Sequence, residues 1–342
     1  MTSHLRARPR PFAAPVSALS AGAPLLALAL LAAAPLGLAP WMLDLVQKIA
    51  LFAVFALSLE LLVGTTGLVS LGHAAFFGIG AYLTALLSPQ DGPGAILLVL
   101  PAAMLGAGAY ALCVGALSLR TSGVYFIMVT LAFAQMAYFI VHDTRIAGGS
   151  DGMFLTARPA LSLGGAMLLD LELPWHRYYL TLAVLALTYG FLALLLRSRF
   201  GHALAGIRAN EARMRAAGYN TYAYKLAAFV IAAMLAGAAG FLIAAKDGAV
   251  NPELLSWHES GAVLLMVILG GLGYLRGALI GAVVFILLKE GLSSEAVMGA
   301  LAARWQLTLG LTMIALVAFM PKGLIGLPAQ WRQRRKGASH EH

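Results

Sequence analysis

The sequence predicts an all-α, polytopic integral membrane protein of about ten transmembrane helices, and three observations carry that reading. First, 61% of the 342 residues are hydrophobic and 11% are charged. A soluble globular chain sits nearer one half apolar and one quarter charged, so this one must use lipid as solvent for much of its exterior. Second, apolar runs recur along the whole chain, which has room for roughly ten spans at ~20 residues each plus loops. Third, the 23 basic residues are unevenly placed between those runs.

The elements follow in order. A basic tail over 1–21 carries Arg6, Arg8 and Arg10. The apolar run from Pro24 to Pro40, with Ala32, Ala33 and Ala34, has the form of a signal peptide. Apolar segments continue far beyond it, which favours an uncleaved first span held inside by its arginines. Spans are expected near 22–40, 46–63, 71–88, 95–117, 123–142, 178–197, 224–245, 260–272, 276–289 and 304–320. The eighth and ninth are short and share Gly270-Gly271-Leu272-Gly273; one long helix across both is the alternative. With the N-terminus inside, 16 of the 23 basic residues fall on inside segments and seven outside, as the positive-inside rule requires. A single span over 260–289 would carry the basic tail at 321–342 outside, so ten spans fit better. The permease domain is thus 22–320, flanked by two basic cytoplasmic tails.

Two polar stretches interrupt the spans. The outside segment 143–177 contains Gly148-Gly149-Ser150-Asp151-Gly152 and ends in Trp175, Tyr178 and Tyr179, an aromatic belt. Loops of that length in a compact protein are usually functional. The inside segment 198–223 is arginine-rich; Glu211 to Ala217 reads as a short helix ending at Gly218, a C-cap. Glu211 is expected there as an exposed charge. The net charge of +9 belongs to orientation rather than to nucleic acid. The lone Cys113 permits no disulfide within the chain.

Signals of catalysis are missing. No lysine follows a glycine, so there is no P-loop. There is no His-Glu-x-x-His and no Cys-x-x-Cys, and the eight histidines are scattered. No metal site, cofactor or catalytic residue is expected, and an ATP-driven role requires a separate ATPase.

The unusual residues lie elsewhere. Gly64-Thr65-Thr66-Gly67 breaks an apolar helix pattern. Broken backbone at membrane depth survives only when buried in protein or facing a water-filled cavity. The stretch reads as a half-helix end lining a substrate path or as a tight packing turn, with Thr66 or Ser70 able to cap the next helix. His73 follows; a hydrogen-bonded packing role is favoured over a gating one. Glu60 is the only carboxylate placed inside a span, a functional hypothesis by default. It sits one turn before Gly64 on the same face, so a structural role at the break competes. Thr130 and Gln135 need polar partners in lipid. Ala232, Ala236, Gly240 and Ala244, and Gly273, Gly277 and Gly281, form small-residue stripes. A dimer interface and an internal seam both fit them.

Several motifs in one order now resemble a known family. They are Gly67-Leu68-Val69-Ser70-Leu71-Gly72-His73-Ala74-Ala75-Phe76-Phe77-Gly78, Thr121-Ser122-Gly123-Val124-Tyr125-Phe126 and Thr130-Leu131-Ala132-Phe133-Ala134-Gln135-Met136. Gly148–Gly152, Arg197–Gly201, Ile207–Glu211 and Leu269–Gly273 complete the set. The chain resembles the branched-chain amino acid ABC transporter permease subunits of the LivM type, from the second span to the end. The resemblance implies a subunit of a bacterial inner-membrane importer. Its partners would be a second related permease, two cytoplasmic ATP-binding subunits that hold ATP and Mg, and a periplasmic solute-binding protein. Arg208, Asn210, Glu211, Arg213 and Gly218 would then form the ATPase-coupling segment. Gly149, Ser150 and Asp151 would meet the binding protein. Glu60, Gly64, Thr65, Thr66, Gly67, Ser70, His73, Thr130 and Gln135 would line the path. Glu60 departs from the family pattern, where an amide is usual, which leaves the solute open among branched-chain amino acids, urea, amides and aromatic acids. The competing readings are a stand-alone secondary transporter driven by an ion or proton gradient, which broken helices and Glu60 would suit, and a membrane enzyme, which the lack of clustered His, Asp or Glu disfavours.

Overall fold

The structure is a computed structural model that describes residues 31–89, 92–163, 166–320 and 323–326. Two long helices form its centre. α1, Pro40–Glu60, starts on a proline, whose missing N–H is no loss at a first helical position, and continues as a π-helical turn over Leu61–Thr66. The two together make one 27-residue span, 94% of whose apolar window is buried. The second central helix also has 27 residues and a 72% buried window. Against these, α3 (Ile96–Ser118), α4 (Val124–Asp143) and α5 (Pro174–Arg197) bury 33%, 22% and 28%. They therefore form the outer wall, whose free faces meet lipid or another subunit.

The helices between them are shorter. α2 spans His73–Leu87, between α1 and α3. After α5 come α6 (Arg199–Ala209), α7 (Glu211–Ala216) and the second central helix, α8 (Thr221–Asp247). α9 (Trp257–Gly270) and α10 (Leu275–Ser293) follow, then α11 (Glu295–Met298) and α12 (Trp305–Phe319).

Among the described residues six helices are long and apolar enough to cross a membrane, or seven if the bent pair α9–α10 counts as one span. The all-α membrane fold is as expected, while the count of about ten is not confirmed among these residues. The expected first span, 22–40, lies mostly outside the described residues. The third, eighth and ninth exist as helices, but α2 has 15 residues, and α9 and α10 meet at 117°. Neither the single long helix nor two full-length spans describes 260–289. Gly271 and Gly273, both at positive φ, turn the chain into a hairpin that a continuous helix could not make.

The short helices share one cause. After each central helix the chain turns back into the bundle before starting the next. Ser58, eight residues before Thr66, lies 2.8 Å from His73, so α2 begins about 12 Å back from the end of its predecessor at ~1.5 Å per residue. After α8 the chain turns at Gly248 (φ 67°) and returns through a 3-10 turn at Pro252–Leu255, where Leu255 packs on Gly78. α9 then starts beside α2: Ser260 Oγ accepts the Ala74 N–H at 2.8 Å. From that meeting point α2 runs toward Gly94, whose carbonyl binds the Ala160 N–H, while α9 runs toward Glu60 and Gly273. Two units of long helix, return and half-helix thus oppose each other, as in the inverted repeats of transporters.

The glycine stripes seal this arrangement. A methyl group on Gly80 would collide with the Gly237 backbone, one on Gly240 with the Phe77 carbonyl, and one on Gly281 with Met266. The stripes are internal seams, which resolves the alternative left by the sequence.

At one end of the bundle the segment 143–177 adds two small antiparallel ribbons to the helical fold. β1 (Met153–Phe154) pairs with β4 (Ala249–Val250), and β2 (Ala160–Leu163) with β3 (Ala166–Asp170). Arg158 anchors them: Nη1 donates to Glu172 Oε2 at 2.7 Å and Nε to the Ala245 carbonyl at 2.9 Å, satisfying an acceptor at the end of α8. The other end carries α6 and α7.

Candidate functional site

The broken segment after α1 is closed by its own hydrogen bonds. Thr65 Oγ1 donates to the Leu61 carbonyl and Thr66 Oγ1 to that of Leu62 at 2.6 Å. The Leu68 N–H also returns to Leu62. Both threonines are buried; Gly67, at φ 75°, is exposed. Neither Thr66 nor Ser70 caps α2 as expected. Ser70 Oγ accepts only the Gly72 N–H at 3.2 Å, and the cap arrives from Ser260.

Midway through the bundle lies a buried polar cluster of Ser58, Ser70, His73, Thr130 and Ser260. Ser58 donates its hydroxyl proton to the Phe55 carbonyl at 2.6 Å, so its oxygen accepts from His73 Nε2. The ring therefore carries its proton on Nε2 and presents Nδ1, buried and without a partner among the described residues. It stacks on Phe55 at 5.5 Å and meets Phe76 edge-on. The ring is thus buried, stacked and hydrogen-bonded on one nitrogen. Thr130 bonds within its own helix, and its carbonyl lies so close to Gly72 that no side chain fits there.

Glu60 sits near the α6–α7 end, one turn before Gly64. Oε1 accepts the Gly273 N–H at 2.6 Å, and the space it fills exists because Gly64 has no Cβ. Arg208, near the end of α6, donates Nη1 to the Gly64 carbonyl. The structure thus brings Glu60, Gly64, Gly67 and Arg208 together. Ser70, His73 and Thr130 form a second group deeper in the bundle.

Arg208 is exposed, as are Asn210, Arg213 and Gly218 of the expected coupling segment. Asn210 caps α7 by accepting the Arg213 N–H at 2.9 Å. Gly218, at φ 87°, ends it: its N–H reaches Arg215 and that of Tyr219 reaches Met214, a Schellman closure. Glu211 departs from expectation. It is half-buried and bonded to Lys225, Thr221 and Arg215, so it ties α7 to α8 rather than standing free. Burial alone would raise its pKa; the bonds from Lys225 and Thr221 outweigh this and hold it below the usual carboxylate range. Arg213 remains exposed beside a shallow cleft of about 380 Å³ lined by Arg197, Arg199, His202 and Tyr219. At the opposite end Ser150 and Asp151 are exposed on a 3-10 turn, and Gly149 is half-buried.

Sequence reading missed another surface. The 3-10 turn Pro252–Leu255 and the start of α9 expose Glu253, Trp257 and His258 near the level of Gly78. Tyr138 of α4 lies close enough to Glu253 to feel its charge, and Gln135, one turn along, is half-exposed. Only the return of the chain after α8 brings residues 251–258 to this depth, and no local pattern announces that.

Comparison with known proteins finds membrane permeases. The family described as the branched-chain amino acid transport system permease component matches residues 41–318. The chain is 30% identical over 315 residues to the high-affinity branched-chain amino acid transport system permease protein LivM of Escherichia coli, covering 86% of this chain and 72% of that protein. Similarity to the Salmonella typhimurium LivM protein is 30% over 301 residues, 82% of this chain and 69% of the relative. A shorter match, 31% over 102 residues, joins 28% of this chain to 26% of the Escherichia coli xylose transport system permease protein XylH. No solved structure matches.

Proposed function

The chain belongs to the family of branched-chain amino acid transport permease components and is a permease subunit of an ABC importer; from that premise we propose how it works and what it carries. The solute is a branched-chain amino acid or a related small polar molecule. It arrives on a periplasmic solute-binding protein and crosses between this chain and a second related permease. ATP, with Mg, is hydrolysed on two cytoplasmic subunits. The membrane is the bacterial inner membrane, with both termini cytoplasmic. The α6–α7 end then faces the ATPases, through the exposed side of α7 and its arginine-lined cleft. Ser150 and Asp151 face the binding protein.

The observation that carries this reading is the opposed pair of broken central helices, whose half-helix starts meet midway. Such breaks place backbone ends and polar groups where a solute crosses. Polar groups exposed at membrane depth are costly against lipid. The face with Gln135, Tyr138, Glu253 and His258 therefore borders the path or the second permease. Gly67, exposed at its turn, lies at the cytoplasmic mouth. Glu60, Gly64, Thr65, Thr66, Ser70, His73 and Thr130 act from behind that surface by shaping the turn and the half-helix start.

Reconstitution tests the proposal. Uptake into liposomes is expected only when both ATP-binding subunits, the second permease and the binding protein are present with ATP. Robust uptake by this chain alone, driven by an ion gradient, would overturn it in favour of a secondary transporter.

A further inference from the structure

We propose that Arg208 is the residue through which movement of the α6–α7 segment enters the membrane core, by clasping the break that ends α1 to the hairpin that ends the half-helix α9 of the opposed unit. The proposal rests on the reading that this segment meets the ATPases.

The break itself creates the acceptor. In a continuing helix the Gly64 carbonyl would receive an N–H from about one turn on. The chain leaves at Gly67 instead, and the Leu68 N–H goes back to Leu62. The orphaned Gly64 carbonyl is taken by Arg208 Nη1. The stem of Arg208 passes beside the exposed Gly67: its Cγ would lie 3.5 Å from a Cβ placed there. On the other side Nη1 comes within 3.9 Å of a Cβ placed on Gly273. Gly273 belongs to the α9–α10 hairpin, and its N–H is held by Glu60 Oε1. One guanidinium and one carboxylate thus join three segments distant in sequence: the end of α1, the α9–α10 turn and the end of α6.

The chemistry selects arginine. Its planar fork offers several fixed N–H donors, so one can hold a carbonyl while the charge acts on Glu60. Lysine has a point charge on a flexible stem and cannot bridge in that way. The link is stiff on the α6 side as well, since Gly206 packs on Met214 of α7 and Asn210 caps α7. Arg208 is exposed at this end of the bundle, beside residues such as Arg213, while its Nη1 engages the Gly64 carbonyl, so it reaches the break from the surface that meets an ATPase. The two opposed units meet in this clasp, and displacement of α6–α7 acts on the break after α1 and on the α9–α10 hairpin together.

The test uses the full complex in liposomes, with ATPase association, ATP hydrolysis and solute uptake measured on the same samples. Arg208→Ala is expected to retain both ATPases and to hydrolyse ATP, while solute carried per ATP falls about tenfold, within the range of coupling between distant sites. Arg208→Lys is expected to fall as well, because its charge remains but the bridge does not. Glu60→Gln keeps an acceptor for the Gly273 N–H and is expected to lose less than Glu60→Ala. A purely structural role would lower the amount of complex and leave the ratio unmoved. Should Arg208→Ala not accumulate, Arg208→Lys and the Glu60 pair give the same readout. A normal ratio in Arg208→Lys and Glu60→Ala, or loss of ATPase association in Arg208→Lys, would overturn the clasp. Absence of ATP-dependent uptake in the unmutated complex would overturn the importer reading, and this proposal with it.

Discussion

Thr66 and Gly67 stand side by side in the break, and the structure assigns them opposite sensitivities. The Thr66 hydroxyl returns to a Leu62 carbonyl that also holds the Leu68 N–H. Thr66→Val therefore removes one bond without orphaning the acceptor, a cost of about 1 kcal/mol or less. Uptake and protein level are expected near wild type, and a cysteine at 66 is expected not to react with aqueous thiol reagents. Labelling there during turnover would put Thr66 on an aqueous path. Gly67→Leu forces a side chain into left-handed backbone, a penalty of roughly 1–2 kcal/mol, and crowds Arg208; uptake is expected to fall. Glu211 shows the electrostatic side of the same scale. Its pKa is held below the ordinary carboxylate value, so its bonds stabilise α7 at and above that value. The contribution is lost only as pH falls below the ordinary carboxylate range, through the depressed pKa. Hydrogen exchange across 198–223 should show that acid-side step, and Glu211→Gln should abolish it. A step at neutral pH would mean that another group controls the segment.

At the scale of elements, glycines that look alike in sequence carry unlike duties. Gly240 of α8 lies against the backbone of α2, whereas nothing approaches within 4 Å of where a Cβ on Gly190 of α5 would stand. Gly240→Val is expected to overpack the seam by about 3 kcal/mol or more, because a backbone cannot move aside as a flexible side chain can. Gly190→Ala is expected to be neutral or to stabilise α5 by up to ~1 kcal/mol through helix propensity. Thermal unfolding in detergent compares them, and equal effects would refute the seam. The stripe itself was legible, since fourth-position spacing puts small residues on one helix face. Its partner was not, because spacing on one helix says nothing about which helix meets it. The start of α2 shows the same limit: Thr66 and Ser70 were the local candidates for its cap, and the oxygen comes from Ser260, 186 residues from its target Ala74.

For the whole molecule, the ribbons with Ser150 and Asp151 lie at one end and α6–α7 with Arg213 at the other. Cysteines at 150 or 151 are expected to be labelled only from the periplasm, and one at 213 only from the cytoplasm. Labelling of both from one side would refute the proposed orientation. The same polarity makes the opposed units meaningful, because half-helices starting at mid-depth and running to opposite faces give each side of the membrane its own turn. The clasp at Arg208 and Glu60 sits at one of these, and the return that starts at Gly248 belongs to the other.

Composition alone determined that the chain dissolves in lipid, since 61% apolar residues cannot be hidden inside a chain of this size. Apolar periods located the long spans, arginine placement proposed their orientation, and an ordered set of motifs pointed to the family. The break at Gly64–Gly67 was also visible, because glycine and threonine interrupt an apolar run. The tertiary structure decided how deep the chain returns after each break, and so turned expected full spans into half-helices. It also decided which side chains answer the freed backbone groups. Glu60 looked like a charge stranded in a span; it holds Gly273, 213 residues away. Arg208 looked like a charge for an ATPase; its guanidinium holds Gly64. Hydropathy and spacing are local quantities, whereas a carbonyl orphaned by a break takes whichever donor the folded chain brings within reach.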